Sequence, residues 1–304
     1  MKKALLIILT FIIAAAAVFA FIAFQTVIDS FTYVPPVENE NKPAGDDNVM
    51  NILFMGTDKK IEGTNDRGRC DSTMMCSLNL KTGAISLISF ERGISVPANQ
   101  YEYDLLTNVY SREGPEAMVS VMENHFKIPV DGYAHVDFDT FAAVIDALGG
   151  ITIELTAEEA AALNGEAVNS VTYAWEHMVE GANTMCGNDA VLYCRLRSID
   201  SDWERQARQR NMMTKIIEHV RGTNPIKLVG MLKDVLPNVE TSLTKGQIVK
   251  LLIHAPKFMS GEVSQLQVPE KNQTWDRRII CWPDEQHRRI CDLIYGRDPS
   301  AETD

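Results

Sequence analysis

The sequence lacks several signatures that would settle its function early. None of its six cysteines forms a CxxC pair and its six histidines do not cluster, so a zinc-thiolate or poly-histidine centre is excluded. There is no GxSxG elbow, which argues against a covalent serine mechanism. Internal repeats and low-complexity stretches are absent, which excludes a solenoid. A basic surplus is missing too: 29 Lys and Arg face 41 Asp and Glu, a net charge of -12, so nucleic acid is not an expected partner. An anionic ligand would need a local positive pocket.

Charge is also missing from Ala4 to Phe24, after Lys2 and Lys3. An apolar run of this length crosses a hydrocarbon core of roughly 30 Å, and the two lysines hold its amino end on the cytoplasmic side. A cleaved signal peptide ending near Ala17 or Ala20 is the rival reading. The expectation is a single-pass cell-membrane protein: residues 1–3 cytoplasmic, 4–28 an anchor, 29–48 a flexible stalk rich in Pro, Asn and acid. Residues 49–296 form an extracytoplasmic domain, and 297–304 a tail. Cys70, Cys76, Cys186, Cys194, Cys281 and Cys291 then lie in a compartment where disulfides persist, with Cys281 and Cys291 expected as a local bridge.

From Val49 onward the pattern is periodic. Asn51–Met55, Thr73–Leu80 and Ala84–Phe90 read as strands, the last two joined by Lys81, Thr82 and Gly83 as a hairpin. Pro115–Phe126 and Phe138–Leu148 carry helical stripes, and Gly149 and Gly150 end the second. Tyr133–Val136, Ile151–Leu155 and Gln265–Val268 read as further strands. Helices are expected over Arg205–Val220 with Asp202 as N-cap, near Gly246–Ala255, and over Asp284–Tyr295. The fold class is therefore α/β, a central mixed sheet sandwiched between helices.

Five arginines and no lysine fall between Arg195 and Arg210. Arginine presents a planar fork that binds phosphate or carboxylate oxygens in pairs, so the cluster suits an anionic ligand. It also reads as a solvated face balanced by Asp200, Asp202 and Glu204. Arg205, Arg208 and Gln209 share the first turns of a helix, where free N–H groups attract anions. Asp58 follows the first strand, Arg69 and Asp71 open the second, and Arg92 ends the third. An antiparallel second strand brings all of them to one end of the sheet. Two carboxylates beside phosphate-binding arginines call for a divalent cation between them. His125, His135 and His177 have no partner at catalytic spacing and are expected to be structural or exposed.

The runs NILFMGTD, RCDSTMM, LISFERG, VDFDTFAAVIDALGG, CGNDAVLYCRLR and DSDWERQARQRNM, in this order between Asn51 and Arg221, resemble the LytR-CpsA-Psr family. The resemblance implies an enzyme that moves a glycopolymer from a polyprenyl-pyrophosphate carrier onto peptidoglycan through a phosphodiester, with the lipid tail in an apolar groove. It implies Asp58 and Asp71 as ligands of Mg²⁺ or Mn²⁺, with Asp71 also helping to activate the acceptor hydroxyl. Arg69, Arg92, Arg195, Arg197, Arg205 and Gln209 correspond to the pyrophosphate-binding set, with Arg92 and Arg195 acting in catalysis. Arg208 and Arg210 are set apart as solvated or paired. Two positions depart from the family's pattern: Gly93 stands where Asp is usual, and Leu106 where Lys is frequent. The rival functions are a polyprenyl-pyrophosphate hydrolase and a wall-polymer binding protein without turnover.

Overall fold

The computed structural model describes residues 31–36, 39, 42–58, 67–98, 101–169, 177–270, 274–275, 278–279 and 282–296. The chain enters as a short strand, β1 (Thr32–Tyr33), and then builds the middle of a sheet from β2 (Val49–Thr57), β3 (Cys70–Asn79) and β4 (Ile85–Phe90). All of β4 and most of β2 are buried, as expected of strands covered on both faces. The β3–β4 hairpin closes where its sequence predicts. The Asn79 side chain accepts from the N–H groups of Lys81 and Thr82 at 3.0 and 2.9 Å, and Gly83 takes φ +80°.

A small hairpin, β5 (Ser95–Ala98) and β6 (Tyr101–Leu105), and two helices, α1 (Leu106–Glu113) and α2 (Pro115–Asn124), lead to β7 (Gly132–Asp137). Next come α3 (Phe138–Ala147), β8 (Ile151–Leu155), α4 (Ala157–Asn169), β9 (Gly181–Met185) and α5 (Gly187–Arg195). The long α6 (Asp202–Arg221), α7 (Pro225–Leu232), β10 (Glu240–Thr241), α8 (Lys245–Phe258) and β11 (Val263–Val268) follow. A two-stranded turn, β12 (Thr274–Trp275) and β13 (Arg278–Ile279), precedes the last helix, α9 (Pro283–Tyr295).

Seven strands form the main sheet in the order β1-β10-β7-β2-β3-β4-β11. β3 is antiparallel to β2 and β4, whereas β7 is parallel to β2 and β11 to β4, so the sheet is mixed as expected. Alternation along the strands separates two faces. Leu53, Met55, Met75, Ile88 and Phe90 share a core with buried residues of α1, α2 and α9. On the opposite face Met74, Cys76, Ile85 and Leu87 pack against Met213 and Ile217 of α6 and Phe258 of α8. The other side of α6 closes a second core with α3, α5, β8 and β9, which is why apolar residues occur around much of its circumference.

Several expectations change. The N-cap of α6 is Ser201, whose hydroxyl accepts from Trp203 N–H at 3.3 Å; Asp202 is instead the first helical residue. Within the segment read as a stalk, Thr32 and Tyr33 pair with Glu240 and Thr241, and Asn39 donates to Glu123 at 2.7 Å. No disulfide joins any two of the described cysteines. The Cys281–Cys291 bridge involves Cys281, which lies outside the described residues, as does the anchor over 4–28. Among the described residues no helix is long and apolar enough to cross a membrane.

Candidate active site

Sheet topology places the chemistry. Because β3 runs against β2 and β4, the end of β2, the start of β3 and the end of β4 lie together, with Thr57 opposite Cys70 and Thr73 opposite Phe90. Asp58, Asp71 and Arg92 extend from these three ends. Gly68 makes the return possible: at φ +76°, any Cβ there would stand 2.5 Å from the Asp58 carbonyl oxygen. The Asp58 N–H in turn donates to the Arg69 carbonyl at 3.0 Å.

A chain of ion pairs runs through this end. Arg92 donates from Nη1 to Asp71 Oδ1 at 2.7 Å and from Nε to Asp202 Oδ2 at 3.0 Å. Arg197 Nε stands 2.9 Å from Asp202 Oδ1, within ion-pair distance but off the line of a hydrogen bond. Arg205, almost fully buried, donates to the Asp71 carbonyl at 3.4 Å, and its Nε has no hydrogen-bond partner among the described residues. Burial alone would lower the Arg92 pKa, but the hydrogen bonds and charges of Asp71 and Asp202 outweigh it and hold the group above its ordinary value. Arg205 moves the other way, because its desolvation outweighs the attraction of Asp202.

Beside these pairs lies a cavity of about 220 Å³. Its lining holds the polar side chains of Asp71, Ser72, Asp137, Arg195, Arg197, Arg205 and Gln209 together with apolar ones, among them Phe54, Met74, Phe138, Phe141, Met212 and Met213. Gln209 is fixed at both ends, accepting from the Ser72 hydroxyl at 3.0 Å and donating to the Cys194 carbonyl at 3.2 Å. The Arg195 guanidinium lies over the Phe138 ring, 4.8 Å from its centroid, so the two kinds of lining touch there.

Five of the eight residues expected at the site therefore line one cavity: Asp71, Arg195, Arg197, Arg205 and Gln209. Asp58, Arg69 and Arg92 stand outside its wall. Asp58 is nevertheless within the field of the others: burial, then Asp71, raises its pKa, while Arg195, Arg69 and Arg92 oppose the rise. Asp58 and Asp71 are thus close enough to feel each other's charge, while among the described residues no group of three His, Cys, Asp or Glu could hold a metal ion by itself. A cation between the two aspartates would have to complete its shell with water and substrate oxygens, as Mg²⁺ commonly does.

Asp202 was visible in the sequence only as a cap and a balancing charge. Its position three residues before Arg205 puts both on one face of α6, and with Ser201 as cap its carboxylate is free to face Arg92 and Arg197. This answers the departure at Gly93, since the second carboxylate on Arg92 comes from α6. The space beside Gly93 is already taken, because a Cβ there would meet Ile279 Cδ1 at 3.3 Å and Glu91 Oε1 at 3.4 Å. Glu91 itself is buried, accepts from Gly93 N–H at 3.2 Å and from Gln206, and burial, then Asp202, raises its pKa. Leu106 is a fully buried core residue. Asp202→Asn keeps the size and removes the charge that holds two arginines; transfer should fall about 10-fold, roughly 1.4 kcal/mol, in a steady-state assay.

His135, expected to lack a partner, has three: its Nε2 contacts the Thr57 and Tyr110 hydroxyls at 2.8 and 2.9 Å and its Nδ1 contacts Glu240 at 3.2 Å. Arg208 and Arg210 are buried rather than solvated. Arg208 pairs with Glu159 at 2.8 Å and with Asp200, and donates to the Leu196 carbonyl at 2.9 Å. Arg210 reaches only neutral partners, Ser89, Gln265 and Gln267, and burial brings its pKa down to about 10.

Comparison with known proteins identifies the family and the fold. The LytR_cpsA_psr family model matches residues 17–289. Proteins named polyisoprenyl-teichoic acid–peptidoglycan teichoic acid transferase TagU are similar: that of Bacillus licheniformis is 31% identical over 219 residues, 68% of this chain and 67% of its own. That of Bacillus anthracis is 28% identical over 205 residues, 66% of this chain, and the match spans 62% of its length. Among solved structures, TagT bound to LIIa-WTA superposes with a TM-score of 0.70 at 19% identity, covering 87% of this chain and 98% of that one. TagT with bound octaprenyl pyrophosphate lipid gives 0.63 at 18% identity, covering 86% and 99%. At such identities the structural likeness speaks for the fold.

Proposed function

The chain belongs to the LytR-CpsA-Psr family, and from that premise we propose that it is a membrane-anchored, extracytoplasmic phosphotransferase acting on a polyprenyl-pyrophosphate-linked glycopolymer, with peptidoglycan as acceptor. The observation that carries this reading is the mixed lining of one cavity. Three arginines share it with several aromatic and methionine side chains and touch them at the Arg195–Phe138 contact, which suits a ligand with an anionic head and a hydrocarbon tail. The related transferases named for teichoic acid and the TagT structure holding octaprenyl pyrophosphate support the same substrate class.

In this reading Arg195, Arg197 and Arg205 hold the pyrophosphate, with Arg205 largely buried and its Nε 3.6 Å from Asp202 Oδ1. Arg92 holds Asp71 in place and, with Arg69, offsets the charge of the two aspartates. A divalent cation held by Asp58 and Asp71 would neutralise charge on the phosphate oxygens. The acceptor hydroxyl attacks the phosphorus next to the glycan and passes its proton to Asp71. The bond from that phosphorus to the bridging oxygen breaks, and polyprenyl phosphate leaves, its developing charge met by the arginines.

The test mixes the full chain in detergent with a polyprenyl-pyrophosphate glycan, muramic-acid-containing fragments and Mg²⁺. A linked polymer and one equivalent of lipid phosphate are expected, with chelation lowering the rate about 100-fold and added Mg²⁺ restoring it. Unlinked glycan with freed lipid phosphate would replace this reading with a hydrolase. Saturable binding without turnover would replace it with a wall-polymer binding protein.

A further inference from the structure

Among the described residues, three of the seven exposed large hydrophobic side chains lie on or just past α8. Ile253 is 68% and Leu252 37% exposed, and Met259, just past the helix end, is 38% exposed. Leu252, Ile253 and Pro256 recur at spacings of three and four, so they form one exposed stripe along the helix, while Val249 packs on the core cluster of Met50 and Ile52. The opposite side is already used: Ile248 packs on Met50 and Ile52 of the sheet, and Phe258 joins the cluster of Met74 and Leu87. The stripe is therefore surplus to the core.

The charges on α8 all have one sign. Lys245, Lys250 and Lys257 lie between residues 245 and 258 with no acid among them, in a chain of net charge -12. Lys257 donates to the Leu80 carbonyl at 2.9 Å and Lys250 to the Asp47 carbonyl at 3.0 Å, neutral acceptors that leave the charge in place. Lys250 shares a cavity with Asp46 and Asp47, which offset its charge in part.

Two neighbours of α8 say what meets this face. Phe31, the first described residue, packs on the α8 cluster and borders one cavity with Tyr33, Lys245 and Ile248. The residues before it contain the uncharged run Ala4–Phe24, so a bilayer crossed by that run lies close to α8. Phe54 belongs both to the α8 cluster and to the apolar lining of the catalytic cavity. The helix and that part of the lining are thus on the same face of the sheet.

We infer that α8 is an interfacial helix that docks on an anionic phospholipid bilayer, with Leu252, Ile253 and Met259 in the headgroup–acyl boundary and the lysines on lipid phosphates. Docked this way, the domain presents this part of its cavity to the membrane that stores a prenyl-linked donor. The inference rests on residues 4–28 being inserted in the membrane and not on the transfer chemistry.

The experiment uses the full chain reconstituted in vesicles of phosphatidylcholine and phosphatidylglycerol. A fluorescent amino acid is placed at Ile253 or at Arg288, an exposed position on α9 across the sheet. Nitroxide-labelled lipids should quench the Ile253 probe at least five-fold more than the Arg288 probe, and omission of phosphatidylglycerol should weaken the difference. Leu252→Asp with Ile253→Asp should slow transfer of vesicle-borne donor several-fold and leave transfer in detergent unchanged, which separates this inference from the catalytic reading. Equal quenching at both positions, stronger quenching at Arg288, failure of the chain to sediment with vesicles, or burial of Ile253 in a dimer without quenching would each overturn it.

Discussion

Arg92→Ala is expected to lower glycopolymer transfer by about 100- to 1,000-fold, on the order of 3–4 kcal/mol of barrier. The size follows from where the side chain sits. Arg92 bridges Asp71 and Asp202 from two different nitrogens, and its side chain is only 21% exposed. Without it, Asp58, Asp71 and Asp202 remain together with one cation fewer, which disfavours the pyrophosphate proposed to bind there. Asp71 also loses the partner that fixes its direction. Arg92→Lys should recover only part of the rate, because one ammonium on a flexible stem cannot reproduce two directed contacts. Single-turnover rates, with circular dichroism to establish folding, decide the matter; a folded Arg92→Ala protein of parental rate would remove Arg92 from the mechanism.

The second large effect is on stability. Arg208→Ala should destabilise the domain by about 3–5 kcal/mol, read as a lowered urea midpoint, because it leaves the carboxylates of Glu159 and Asp200 and the Leu196 carbonyl without their common donor. Burial would lower the Arg208 pKa, yet the hydrogen bonds of Asp200 and Glu159 raise it overall. Arg208 ties α4, α6 and the segment after α5 into one unit. At a temperature where the variant remains folded, its transfer rate should stay within about ten-fold of the parent, since Arg208 is absent from the cavity wall. A loss as large as that of Arg92→Ala, with stability unchanged, would make Arg208 part of the chemistry.

The contrast between these two arginines shows where sequence reading stops. Strand and helix positions are legible from local pattern: β4 from a short apolar-rich segment between the turn and Glu91, α3 from Phe138 to the paired glycines, and the β3–β4 turn from Lys81, Thr82 and Gly83. The rim is legible too, because an antiparallel β3 between β2 and β4 must bring Asp58, Asp71 and Arg92 to one end. Partner identity along α6 is not legible. Arg205, Arg208 and Arg210 are the same residue type within six positions, yet one meets Asp71 and a cavity, one meets two carboxylates, and one meets only Ser89, Gln265 and Gln267. Asp202 shows the same limit: a residue that suits an N-cap turns to Arg92 because Ser201 takes the cap.

Local pattern thus determined the alternation of strands and helices, the family resemblance and the grouping of two aspartates with Arg92, because each follows from side-chain period, charge and strand direction. Only the tertiary structure decided that Asp202 is the second carboxylate on Arg92, that the arginine cluster divides into cavity-lining and buried, paired members, and that Phe54 joins the cavity to α8. Those facts depend on which surfaces meet across 100 or so residues of chain, as between Arg92 and Asp202 (separated by 110), and burial then fixes what each charge must pair with.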